Sequence, residues 1–159
     1  MLTFALNHMT VPSLTMKNVG DLARSLGMSG IELRNDLAQR LFDGQTPVAG
    51  MTDGMTVIAL AEVKAFNAFD DATFERSVAL MDLAVACGAK AIALIPQVGG
   101  DAVSHDGLRA AMVALGPELA SRGLTGLIEP IGFHNSTLRD KSDVVAVIDG
   151  TGLGDQFGL

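Results

Sequence analysis

A chain of 159 residues, 48% hydrophobic and 18% charged, is long enough to bury the core of one domain, which excludes a disordered, fully solvated polymer. Its formal charge of -7, with no cluster of Lys and Arg, argues against nucleic acid as a partner, because phosphate binding needs gathered cations. A single cysteine, Cys87, excludes an internal disulfide framework, and neither a leader pattern nor an apolar run of membrane-spanning length is present, so a cytoplasmic protein without a membrane partner is expected.

The first element is a strand over Thr3–Asn7, followed by Asn7-His8-Met9-Thr10-Val11-Pro12-Ser13, a connection with no glycine-rich phosphate turn. Val19, Leu22, Ala23 and Leu26 then recur at helical spacing, with Asn18 or Asp21 placed to start that helix. Gly27 to Leu33 reads as a helix end passing into a strand. The next helix has only Thr46–Asp53 to form from, shorter than a covering helix normally needs. A second strand signal follows at Gly54–Leu60.

Asp70 or Asp71 caps a longer helix carrying Phe74, Val78, Met81 and Val85, with Cys87 as a buried, inert thiol near its end. The strand signal returns at Gly88–Leu94. A helix runs from about Ser104 to Arg122, and Pro117 within it predicts a kink or break near Gly116. After a fourth such signal at Gly123–Glu129, a last helix begins near Asp140 and a last strand near Gln156. Between these two, Gly150-Thr151-Gly152-Leu153-Gly154 reads as a flexible loop, because it follows a helix and precedes a strand, the reverse of a dinucleotide fingerprint.

The four glycine-led segments share one design: a glycine for the left-handed helix end, a short link, then an apolar run buried on both faces. Strands about 30 residues apart joined by helices imply parallel pairing with right-handed crossovers. The fold class expected is therefore α/β, a partial (β/α)8 barrel of about five units plus the start of a sixth strand. It forms one incomplete domain over 1–159, because a full barrel needs about 250 residues.

Working residues of such barrels lie at the C-terminal ends of strands. That rule selects His8, Glu32 or Arg34 with Asn35, Glu62 with Lys64, Gln97, Glu129 and His134; Glu129, where an apolar strand gives out, is the strongest, and His8, Arg34, Lys64, Gln97 and His134 are the substrate-binding candidates. Glu129 reads either as a working carboxylate or as the partner of a neighbouring Lys or Arg. Glu32 and Arg34 point the same way on a strand and read either as a structural ion pair or as a substrate clamp, and Glu62 with Lys64 repeats the arrangement with the same two readings. His8 reads equally as a packed polar group, and His134 and His105 as surface residues.

Phe4-Ala5-Leu6-Asn7-His8, Gly30-Ile31-Glu32-Leu33-Arg34-Asn35-Asp36, Phe66-Asn67, Leu94-Ile95-Pro96 and above all Leu127-Ile128-Glu129-Pro130-Ile131-Gly132-Phe133 resemble the xylose-isomerase-like TIM-barrel family, nearest to inosose isomerases and sugar-phosphate isomerase/epimerases. The resemblance implies a divalent metal (Mn2+, Mg2+, Co2+ or Zn2+) held by two glutamates, an aspartate and a histidine. It also implies a sugar or cyclitol substrate and proton transfer next to a carbonyl. Glu129 matches the first glutamate as both metal ligand and catalytic group, and the other three ligands have no match in the chain. The expectation is therefore an N-terminal portion of such an isomerase or epimerase, inactive alone. The alternative is a non-catalytic partial barrel that binds a small ligand or self-associates as a homo-oligomer. An abasic-site endonuclease of the same superfamily is disfavoured by the acidic charge and three scattered histidines.

Overall fold

The computed structural model describes residues 3–37, 52, 54–101 and 103–159. Among them, six strands form one sheet in chain order, every neighbouring pair parallel: β1 (Ala5–Asn7), β2 (Gly30–Arg34), β3 (Thr56–Lys64), β4 (Ala91–Ile95), β5 (Thr125–Ile128) and β6 (Phe157–Gly158). Four helices accompany them: α1 (Met16–Ser25), α2 (Asp71–Cys87), α3 (His105–Arg122) and α4 (Lys141–Thr151). This sequential parallel order is that of a partial TIM barrel. The short second helix expected over 46–53 lies outside the described residues, apart from Thr52.

The repeat read from the sequence has a common backbone cause. Gly27, Gly54, Gly88 and Gly123 all have positive φ, between 64° and 80°, the left-handed region that a side chain disfavours. For α2 and α3 the glycine is the C-cap, and its N–H bonds carbonyls of the last turn. Asp70 caps α2 as expected, its side chain accepting from the Thr73 N–H at 2.7 Å, and Ser104 caps α3.

Three local expectations are corrected. Helix α1 starts at Met16, capped by the Thr15 side chain, ahead of Asn18 and Asp21, because a hydroxyl three residues before Asn18 already satisfies its N–H. Helix α3 runs unbroken through Pro117. Pro117 and Val113, whose carbonyl loses its usual donor, are both exposed, so water can satisfy that carbonyl. The glycine run expected as a loop begins inside α4, which continues to Thr151 before Gly152 closes it.

The core lies on one side of the sheet. Alternate strand residues Leu6, Ile31, Leu33, Ile92, Leu94 and Ile128 pack in one buried cluster with Val19, Met81, Leu115 and Leu119 of the helices. The intervening residues face the other way, into what would be a barrel's interior. There Ala5, Gly30 and Ile58 meet so closely that a Cβ on Gly30 would stand 3.0 Å from the Ile58 Cγ2. Ile58 remains 40% exposed on this face.

Candidate functional site

Glu129 follows β5 directly, and its backbone N–H donates to the Leu94 carbonyl at 3.1 Å, extending the β4–β5 ladder by one bond. That bond fixes the main chain at the point where the strand stops, and the Glu129 side chain reaches a pocket of about 390 Å³. Ile58, Ala59, Ala93 and Leu127 form an apolar floor, while Glu32, Glu129 and Lys141 are its charged lining. Glu129 is exposed, so it needs no cation to remain solvated.

Glu32, one of the strand-end residues that the sequence selects, belongs to this pocket. Paired in register with Asn7 and Ala59 on the inner face, it shares the pocket with Glu129. Burial pushes the Glu32 carboxyl above the usual carboxylate range. The Arg34 charge and the Asn7 side chain oppose that shift, and the Glu129 charge adds to it.

In place of a Glu32–Arg34 ion pair stands another partner choice. Arg34 Nε and Nη2 each donate to an Asp36 carboxylate oxygen at 2.8 Å, and Nη2 also lies 2.8 Å from Glu62 Oε1. Lys64 joins the same two carboxylates, at 3.2 Å from Asp36 and 3.3 Å from Glu62, as the ion-pair reading of Glu62 and Lys64 required. Two cations and two anions thus neutralise one another at the ends of β2 and β3. The Arg34 hydrogen bonds hold the Asp36 carboxyl down at about 2.

The other candidates stand apart from this pocket. His8 is fully buried; its Nε2 faces the Leu14 carbonyl at 2.9 Å, while Nδ1 is buried without a hydrogen-bond partner among the described residues. Gln97 turns its Nε2 to the Gly99 and Asp101 carbonyls at 2.8 and 3.2 Å, bracing its own loop. His134 is exposed in the loop after β5, and His105 lies at the surface, 3.7 Å from Asp143. A separate open hollow of about 450 Å³, lined by Gly132, Ser136, Thr137, Arg139, Asp140 and Asp143, contains none of the expected site residues. Among the described residues no three His, Cys, Asp or Glu side chains are grouped to hold a metal ion. The residues present therefore do not fit a complete metal centre.

No protein-family model and no curated protein sequence matches the chain. Solved structures do. A xylose isomerase domain containing protein from Salmonella typhimurium is 25% identical with a TM-score of 0.87, over 94% of this chain and 57% of its own. An IolI protein with a bound zinc atom is 16% identical with a TM-score of 0.82, over 99% of this chain and 62% of its own. An L-ribulose 3-epimerase is 18% identical with a TM-score of 0.74, over 99% of this chain and 59% of its own. The chain thus spans about three fifths of the length of each, and the two less identical matches establish the fold alone. Sheet order, connections and these likenesses agree: the chain has the fold of a xylose isomerase-like TIM barrel, of which it forms a six-stranded part.

Proposed function

We propose that this barrel wall serves a sugar or cyclitol isomerase/epimerase, in which a proton moves next to a carbonyl. The observation that carries the reading is Glu129 at the end of β5, sharing one pocket with Glu32 over an apolar floor. Moving a proton between adjacent carbons, or onto and off one carbon, needs a group to take it and a group to return it. Two carboxyls on one pocket wall supply both kinds of group, and the floor of Ile58, Ala59 and Leu127 suits the C–H face of a sugar ring. The zinc atom of the IolI protein supports a divalent ion in relatives, with Glu129 the candidate ligand here. Since the described residues do not complete a metal centre, no proton-transfer step is routed through one, and on this reading the chain by itself binds sugar without turning it over.

Titration of the 15N-labelled chain with D-fructose and with a keto-inositol tests this. Amide shifts are expected to concentrate at Ala59, Ala93, Leu127 and Glu129, and to shrink in Glu129→Gln. Shifts that are absent for both sugars, or that gather elsewhere on the surface, remove the reading.

A second reading is favoured by one observation: β1 and β6 each have a sheet neighbour on one side only among the described residues, and Ile58 and Leu159 are exposed at 40% and 51%. A non-catalytic partial barrel would bury this surface by self-association. A stable monomer in sedimentation, with no binding of an apolar dye, counts against it.

A further inference from the structure

We propose that the Glu32–Glu129 pocket selects uncharged polyols over phosphorylated ones, with Glu32 as the selecting residue; the inference rests on the sugar-site reading above. The strand-end cations that could receive a phosphate are already engaged. Arg34 is only 12% exposed and is held by both Asp36 and Glu62, and Lys64 contacts the same two carboxylates. A phosphate seeking Arg34 must break a bidentate ion pair and leave Asp36 and Glu62 facing each other without their guanidinium.

The pocket itself carries two carboxyls against one cation, Lys141, among the described residues. Lys141 is exposed at the first turn of α4, whereas Glu32 is half-buried on the sheet. A dianionic group entering between Glu32 and Glu129 meets like charge in a partly desolvated site. A neutral polyol meets two acceptors for its hydroxyls and an apolar floor for its C–H face. Charge, and not volume, discriminates, since a pocket of about 390 Å³ has room for a hexose with its phosphate.

Saturation-transfer NMR at pH 8 with D-fructose and D-fructose 6-phosphate, each in EDTA and in Mg2+, decides the matter. The wild-type chain is expected to bind fructose and to bind the 6-phosphate about tenfold more weakly or worse. Glu32→Gln should bring the two within about threefold, chiefly by improving the phosphate. Added salt should narrow the gap in the wild type, which keeps the test decisive even if the variant does not fold. Equal binding of both sugars by the wild type, or a gap unmoved by both Glu32→Gln and salt, overturns the charge selection while leaving the sugar site standing. Transfer to neither sugar overturns the sugar-site reading and this inference together.

Discussion

The Asn67 side chain ties together two loops that are 70 residues apart in the chain: its Nδ2 donates to Thr137 Oγ1 at 2.9 Å. Its Oδ1 accepts from the Gln97 N–H at 2.8 Å, and Thr137 returns both its N–H and its hydroxyl to the Gln97 carbonyl at 2.9 Å. The loops after β3, β4 and β5 are thereby clamped at the end of the sheet that carries Glu129. Asn67 is 2% exposed, so water cannot readily replace it. Asn67→Ala should lower unfolding free energy by about 1–3 kcal/mol, since it leaves the part-buried Gln97 N–H without its acceptor. Urea unfolding measures the loss, and faster hydrogen exchange at the Gln97 amide would locate it; unchanged exchange there would show the clamp to be idle.

The acid limb of stability should report on Arg34. The Asp36 carboxyl titrates at about 2 in the folded chain against its ordinary 3.8, because Arg34 hydrogen-bonds its charged form. A depressed folded value means that the unfolded chain takes up the proton first. The stabilisation is therefore present above about pH 4 and lost as pH falls through about 2. Urea midpoints across this range should fall more steeply in the wild type than in Asp36→Asn. Parallel curves would remove Asp36 from the account.

Gly126 is a matter of space. A Cβ there would stand 2.9 Å from Leu94 Cδ1 and 3.0 Å from both Leu119 Cδ1 and Phe157 Cδ1, where β4, β5, β6 and α3 converge. Gly126→Val is expected to cost about 1–3 kcal/mol by overpacking. Thermal unfolding of Gly126→Val beside a cavity-making Leu119→Ala would test the cause. The double variant should lose less than the sum of the two, because each change relieves the other.

Pro117 is retained in α3 at a cost. Pro117→Ala restores an N–H donor to the Val113 carbonyl on an exposed helix face and should stabilise the fold by about 1 kcal/mol or more. A lower melting temperature in the variant would contradict this.

The strand–helix order was readable because its signals are local: a left-handed glycine, then an apolar run, repeated at Gly27, Gly54, Gly88 and Gly123. The cap at Asp70 was equally local. What escaped depends on neighbours in space. Glu32 and Arg34 do share a strand face, but the Arg34↔Ala61 register brings Glu62 alongside, and Asp36 completes the pair. Glu32 is thereby left to the pocket. Asn67 escaped for the same reason, its partners lying 30 and 70 residues away, whereas Gln97 was read as a strand-end binding group although its side-chain amide is taken up by backbone carbonyls of its own turn. The break read at Pro117 does not occur, because helix breaking depends on whether the orphaned carbonyl can reach water, which is a property of the surface and not of the sequence.

The one-sidedness of the core has an evolutionary reading. Leu6, Ile31, Leu33, Leu94 and Ile128 anchor the helices from one set of strand positions, while Ile58, Ala93, Leu127 and Glu32 occupy the alternate set. Changes at the second set leave helix docking untouched, so drift and selection can rewrite what this wall recognises without first being vetoed by foldability. Such a chain is a permissive substrate for innovation: its scaffold positions and its recognition positions are interleaved residue by residue, yet are under separate constraints.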